Sequence, residues 1–568
     1  MRARAEQPAT VSVAQSAFRP NLYDVVVFLL VMAAFAGVAW GAREVAQPLS
    51  RLDAATVALD PGKLPTYALL TTLRMFAAIL CSLLFTFVAG WAAAKSRKAE
   101  MVIVPALDIL QSVPILGFLT FTVVFFMGLF PGSQLGAECA AVFAIFTSQA
   151  WNMAFSFYQS LKTLPADLDE AARHFRLSAW QRFWRLEAPY ATPGLVWNTM
   201  MSMSGGWFFV VASESISVGA TKIALPGIGA YLAAAIEQKN LSAVGWAVAT
   251  MGVLILIYDQ LLFRPVVAWA DKFRVEQIAS RERPSSWVYD LFRRTRLLRR
   301  IGDLASGLTD ALSRASTGLR AGRPAPARAE AEPSALDRLW AGAMWIAAGW
   351  ATWMIVSYLA QGLGLGDVGE ALLAGLATLA RVAALIALAS LIWTPVGVWI
   401  GLRPALAEKI QPLAQFLAAF PANVLFPVFV VLIARRHLDP NVWLSPLMVL
   451  GTQWYILFNV IAGASGYPAD LLEAASMSRV KGWLWWRSVM LPGVFPYYVT
   501  GALTASGGSW NASIVAEVAS WGDTKLEAYG LGSYIANATE AGAYHKVVLG
   551  VAVMSVFVLA FNRLVWRR

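Results

Sequence analysis

Apolar runs of membrane-crossing length recur along the chain, separated by short polar or charged stretches. In the first half they fall at about 24–42, 67–94, 102–130, 136–158, 191–213 and 241–263; in the second, at about 338–359, 370–400, 410–434, 441–463, 495–517 and 545–565. As helices, these runs can cross roughly 30 Å of hydrocarbon. The pattern predicts an all-α membrane protein of about twelve transmembrane helices, six in each half. Pro114 and Pro421 lie inside two of the runs. Proline removes a helical N–H and clashes with the preceding turn, so kinked or broken helices are expected there.

Composition agrees with the pattern. Of 568 residues, 58% are apolar and only 14% are Asp, Glu, Lys or Arg, with mean hydropathy +0.58. Soluble domains carry roughly 25% charged residues, so a soluble enzyme and a disordered chain are both excluded. The net charge of +11 has a topological origin. The N-terminal tail and segments 95–101, 160–190, 264–339, 402–411, 464–493 and 562–568 hold 34 of the 45 basic residues. The positive-inside rule places those segments, and both termini, in the cytoplasm. Nucleic acid is not an expected partner. Met1 to Asn21 lacks the apolar core of a cleaved signal peptide. Cys81 and Cys139 form no CxxC pair, and His174, His437 and His545 have no ligand spacing, so no metal site is expected.

The boundaries follow as a first half, 1–263, a cytoplasmic segment, 264–337, and a second half, 338–568. Within 285–320, Leu291, Leu298, Ile301, Leu304, Leu308 and Leu312 recur at helical spacing beside Arg293, Arg294, Arg296, Arg299 and Arg300. This stretch reads as an amphipathic helix, lying on the anionic inner leaflet or packed on a cytoplasmic partner. Ala321 to Ser334 reads as a flexible linker.

The halves repeat. At a fixed offset of 303 residues, Pro165-Ala166-Asp167-Leu168 returns as Pro468-Ala469-Asp470-Leu471, and Glu170-Ala171-Ala172 as Glu473-Ala474-Ala475. Pro189, Pro193, Trp207, Glu214 and Thr221-Lys222 match Pro492, Pro496, Trp510, Glu517 and Thr524-Lys525. Gly227-Ile228-Gly229-Ala230-Tyr231 matches Gly530-Leu531-Gly532-Ser533-Tyr534. Upstream, Arg74 matches Arg381 and Pro114 matches Pro421 at an offset of 307. Six crossings per unit keep the two copies in one orientation, a parallel repeat that suits a transporter with one pathway between its halves.

On the cytoplasmic side the repeat preserves a pair of short helices. Leu168 to Phe175 is predicted helical, with a turn near Arg176-Leu177. Ser178 can N-cap a second helix carrying Trp180, Phe183 and Trp184, which Pro189 is expected to end while starting the next span. Trp483, Trp485 and Trp486 occupy the matching helix of the second copy. The Ala-Ala pair offers a small face to a partner's groove, while Glu170 and Arg173 are expected to be free to pair. The alternative is two ordinary interfacial helices.

These features resemble the coupling loop of type I ABC importer permeases: Glu-Ala-Ala, six residues to a turn, an aromatic second helix and a closing Leu491-Pro492. Gln111-Ser112-Val113-Pro114-Ile115-Leu116 is similar to the nitrate, sulfonate, taurine and bicarbonate branch. The whole chain resembles a tandem, fused permease of that anion-importer group. The resemblance implies coupling loops at 164–190 and 467–493, with Glu170, Ala171, Ala172, Arg173 and Arg176, and Glu473, Ala474, Ala475 and Arg479, docking onto two copies of a cytoplasmic ABC ATPase. The family has Gly where this chain has Arg176 and Arg479; either the turn is right-handed here or the arginines make offsetting contacts. No Gly-x-x-x-x-Gly-Lys-Ser/Thr occurs, so ATP and Mg are expected in the separate ATPase. Other implied partners are a periplasmic binding protein, a small anion and membrane lipid, in a bacterial inner membrane.

The pathway is expected along the spans after the loops, with Ser204, Gly205, Gly206 and Trp207 in one half and Ser506, Gly507, Gly508, Trp510 and Asn511 in the other. Gln149, Trp151, Gln453 and Trp454 are secondary candidates. Small-residue helix packing is the competing reading. Arg74, Lys222, Arg381 and Lys525 are expected at the outer mouth, drawing anions in or docking the binding protein. A gradient-driven secondary transporter and an importer of a non-anionic solute remain alternatives.

Overall fold

In a computed structural model, residues 21–45, 57–175, 177–218, 221–273, 286–295, 300 and 335–566 are described. The first half runs α1 (Leu22–Val45), α2 (Leu64–Phe85), α3 (Arg97–Ser112), α4 (Ile115–Leu129), α5 (Gln134–Lys162), α6 (Ala166–His174), α7 (Ala179–Arg182) and α8 (Ala188–Ser213). A hairpin of β1 (Ser215–Val218) and β2 (Thr221–Ala224) follows, then α9 (Ile228–Glu237) and α10 (Leu241–Tyr258). After α11 (Trp287–Arg294), the second half repeats the order. It contains α12 (Ala335–Gly362), α13 (Leu365–Gly401), α14 (Pro404–Ala419), α15 (Phe426–Arg435), α16 (Gln453–Ser465), α17 (Ala469–Met477), α18 (Gly482–Trp485) and α19 (Leu491–Ala516). It ends with β3 (Val518–Trp521), β4 (Thr524–Glu527), α20 (Leu531–Glu540) and α21 (Tyr544–Phe561).

Among the described residues, six helices are by themselves long and apolar enough to span, and nine spans result if three bent pairs each count once. The expected breaks at Pro114 and Pro421 are present: α3 meets α4 at 107°, and α14 meets the helical stretch containing α15 at 76°. The three other expected spans fall on α5, α8 and α19, of 29, 26 and 26 residues. They are long enough to cross but less apolar, because they supply polar side chains to the interior. By contrast, α12 buries none of its most apolar stretch and lies at the periphery.

In the first half α5 packs on α2, α4 and α8; in the second α16 packs on α13, α14 and α19. The halves exchange contacts: α8 touches α14, while α4 touches α19 and α21. One large buried cluster joins Ile115, Leu119, Ala140 and Phe209 to Ile386, Ile456, Trp510 and Met554 across that seam.

The two antiparallel hairpins are an addition to the all-α expectation. Their signal is local: two residues, Gly219-Ala220 or Gly522-Asp523, separate β-branched or aromatic pairs in the sequence. Of the predicted amphipathic helix at 285–320, only α11 lies within the described residues, apart from Ser286, Thr295 and Arg300. It is capped by Ser286, buries Val288, and meets α1 where Asn21 Nδ2 donates to Arg294 O at 3.0 Å. The linker Ala321–Ser334 lies outside the described residues.

Candidate functional site

Each half buries an arginine cluster under its hairpin. Arg74, on α2, donates from Nε and Nη2 to the two oxygens of Glu138 at 2.6 Å each, and from Nη1 to Glu214 Oε1 at 2.7 Å and Pro226 O at 2.9 Å. Thr71 Oγ1 and Gly229 N also donate to Glu214, both at 2.7 Å. In the second half Arg381 Nη1 donates to Glu517 Oε1 at 3.1 Å and Tyr529 O at 2.7 Å, and Thr378 Oγ1 to Glu517 at 2.8 Å. The Gly-x-Gly of the repeat is explained here: a Cβ at Gly229 would sit 2.2 Å from Val211 O, and one at Gly532 2.3 Å from Ser513 O.

This geometry corrects the outer-mouth expectation. Arg74 is 4% exposed and its charge is neutralised, because two carboxylates converge on it. Arg381 is similarly occupied by Glu517. Lys525 pairs within its own half, with Glu540 at 2.8 Å and Asn537 at 3.0 Å. Lys222 pairs with Ser217 in the first hairpin, and its side chain lies outside what is described.

Between the halves lies a cavity of about 730 Å³. Its lining runs along α5 from Thr147 to Gln159 and along α8 from Phe209 back to Trp197, and in the second half along α19 from Ala512 back to Val499. The cavity therefore extends from mid-helix toward the end that carries α6, α7, α17 and α18. Phe208, Phe209, Phe426, Leu447 and Met448 cap the other end. The charged residues in the lining are Asp108 and Arg563.

Of the pathway candidates, Trp151, Ser204, Gly205, Gly507, Gly508 and Asn511 line this cavity. The others are placed elsewhere. Trp207 and Trp510 are each 1% exposed, Trp207 edge-on to Tyr258 at 5.0 Å and Trp510 stacked on Phe557 at 6.4 Å. Both are core packing: each ring's aromatic neighbour belongs to its own half, and neither side chain lines the cavity. Gln149 is buried, donating to Met75 Sδ at 3.2 Å, and a Cβ at Gly206 would meet its amide at 2.6 Å. Gln453 accepts from Trp393 Nε1 at 2.9 Å, with Trp454 tilted against the Trp393 ring, and Ser506 is fully buried.

The cytoplasmic-loop helices form as expected over Ala166–His174 and Ala469–Met477. Ser178 caps α7 in a capping box with Gln181. Pro189 and Pro492 do not end the second helix. A π turn, Phe183–Glu187 or Trp486–Met490, carries the chain without a break into α8 or α19, which begin one residue before the proline, at the point where the hydrogen-bond register changes from π to α. Glu170, Ala171, Glu473 and Ala474 are exposed, but Ala172 and Ala475 face inward at 5% and 8% exposure. Adjacent helical positions point about 100° apart, so the Ala-Ala pair cannot present one face. Arg173 is not free: it bonds Asp169 at 2.7 Å. Arg479 has φ 52°, with Val480 N donating to Ala475 O and Arg479 N to Ser476 O at 3.0 Å each. This is a left-handed helix stop made by Arg in place of Gly. Leu177 N donates to Ala172 O at 3.1 Å in the first copy; Arg176 lies outside the described residues.

Residues 82–264 and 393–566 each match the family described as binding-protein-dependent transport system inner membrane component. The chain belongs to that family. Relatives of this transport component include a bicarbonate transport system permease protein of Synechocystis sp., 28% identical over 189 residues, 33% of this chain and 64% of the relative. A nitrate import permease protein of Leptolyngbya laminosa is 27% identical over 189 residues, with the same 33% and 64% coverage. A taurine transport system permease protein of Escherichia coli is 24% identical over 181 residues, 32% of this chain and 62% of the relative. The aligned segments thus span less than two thirds of these relatives.

The chain carries two domains of this family in tandem, and its halves differ at the loops. In the first, Asp169 pairs with Arg173 and Arg182, and Glu187 pairs with Arg182 at 2.8 Å and with Lys95. In the second, Leu472, Ser476, Trp485 and Met490 stand at the matching positions, with Met490 fully buried. One loop is braced by ions and the other by packing. At the far end Lys239 donates to Asp523 at 2.8 Å and Gly522 N to Ile236 O at 3.0 Å, tying α9 to the second hairpin. The sequence reading missed these groups. The shared offset of Thr71 and Arg74 with Thr378 and Arg381, and Glu138 within an apolar run, were signals of the buried clusters.

Proposed function

We propose that the chain forms the translocation pathway of an ATP-driven, binding-protein-dependent importer of a small anion. The reading rests on one observation: the cavity between the halves runs toward the end where both exposed Glu-Ala-Ala helices project. In this reading, Glu170 to Leu177 and Glu473 to Val480 dock onto two ATPase subunits, which hold ATP and Mg. The continuous helical path from α7 into α8, and from α18 into α19, passes their motion to the cavity walls. A periplasmic binding protein delivers solute at the hairpin end. The protein sits in a bacterial inner membrane with both termini cytoplasmic. Bicarbonate and nitrate in the relatives' names favour an anion, and taurine, a zwitterion, shares with them an anionic oxygen-bearing group.

The ion-gradient alternative is disfavoured because the buried carboxylates Glu138, Glu214 and Glu517 are held by arginines outside the cavity. The test is Glu170→Lys with Glu473→Lys, scored for ATPase co-purification and solute uptake. Loss of both is expected. Retention of both would sink the docking assignment.

A further inference from the structure

Hydroxyl and amide groups along the cavity are mostly spent on their own helices. Thr147 donates to Ala144 O at 2.9 Å, Ser204 to Met200 O at 3.0 Å, Asn459 to Tyr455 O at 2.8 Å and Thr504 to Thr500 O at 2.8 Å. Such back-bonding lets polar residues sit in a membrane helix without seeking a solute. Asn152 and Tyr455 differ. Both line the cavity, and neither side chain has a hydrogen-bond partner among the described residues. Tyr455 is 6% exposed, and a Cβ on Gly205 would lie 3.7 Å from its hydroxyl oxygen. The two residues are related by the repeat offset of 303, so they occupy equivalent depths on α5 and α16.

Tyr455 is buried and Asn152 half-buried, and a donor withdrawn from water without a partner costs free energy unless something fills it. Here the donors open onto a cavity about midway between its aromatic cap and its coupling end. We infer that Asn152 and Tyr455 form a solute subsite in which an amide N–H from one half and a phenolic O–H from the other donate to the oxygens of a small oxyanion. The inference deepens the importer reading above and rests on it.

The chemistry of the site favours a transit station over a tight receptor. Hydrogen bonds from neutral donors to an anion are strong where water is thinned. Among the described lining residues no lysine or arginine stands at this depth, so the anion is not locked by a full counter-charge; the lining's Arg563 lies near the coupling end. Conduction needs binding strong enough to admit the solute and weak enough to release it. Gly205 keeps the wall beside the hydroxyl low.

The test uses the full complex with its ATPase subunits and binding protein in proteoliposomes, with nitrate, bicarbonate and taurine as probes. Tyr455→Phe removes only an oxygen, and Asn152→Leu removes the amide at similar volume. Each is expected to lower uptake by about tenfold, the scale of one hydrogen bond to a charged group, while ATPase activity stimulated by loaded binding protein stays within about twofold. Rescue of Asn152→Leu by Asn152→Gln is expected, since the amide is restored. If wild type carries one of these solutes and both variants match it in rate, the subsite is overturned and the importer reading stands. If wild type carries none of them but imports a cation or neutral solute, the anion reading falls, and the anion subsite with it.

Discussion

The Arg74 guanidinium clasps Glu138 through two hydrogen bonds of 2.6 Å, and at the matching place in the repeat Arg381 meets Asn441 at 3.3 Å. A carboxylate in one half has become an amide in the other. The first cluster therefore holds one cation between two carboxylates, and the second holds one cation against one.

Removing the cation is expected to be far worse than removing the extra carboxylate. Arg74→Met strands Glu138 and Glu214 in a buried site, a loss of about 3–5 kcal/mol. Glu138→Gln reproduces the second half's arrangement and is expected to cost about 1 kcal/mol. Thermal unfolding of the purified protein in detergent compares them; equal destabilisation would refute the assignment of Arg74 as the shared partner.

The ionic brace predicts a difference between the loops. Glu187 is 2% exposed and lies between Lys95 and Arg182. Glu187→Gln is expected to speed amide hydrogen exchange across Ala166–His174 while leaving Ala469–Met477 as protected as before. Faster exchange in both helices, or in neither, would show that the loops are braced alike.

At the hairpin end, Lys239 and Asp523 join the halves, and the repeat supplies no second copy of this ion pair, since Gly542 and Ala220 stand at the matching positions. Lys239→Glu is expected to loosen this seam and raise ATPase activity without binding protein, and Lys239→Glu with Asp523→Lys to restore it. Failure of the double variant to restore the low basal rate would remove the pair from gating. Its hydrogen bond and charge hold the Asp523 carboxyl below its ordinary range. The contact is thus at full strength above the usual carboxylate range and is lost as pH falls through the lowered value.

Arg479 carries its left-handed φ of 52° at a cost of about 1 kcal/mol relative to glycine. Arg479→Gly is expected to raise the thermal midpoint of the isolated protein. A lowered midpoint would mean that the arginine side chain contributes more within the fold than its backbone strain costs.

The period and length of the apolar runs, the two proline breaks, the in-register repeat and the Glu-Ala-Ala helices were all legible in the sequence. Each is local or translational: a helix needs only its own neighbours, and duplication leaves a constant offset. Arginine placement could be counted, but partners could not. Arg74 meets Glu138 and Glu214, 64 and 140 residues away, and only packing brings them together. The same holds for the paired tryptophans. Trp207 and Trp510 looked suited to a pathway by type and symmetry, yet a turn of about 100° per residue puts them in the core while Gly205 and Gly508 reach the cavity. Which face of α8 and α19 meets the seam depends on how two whole halves dock. That choice is made by the sum of side-chain volumes across the interface, which no single stretch of sequence contains.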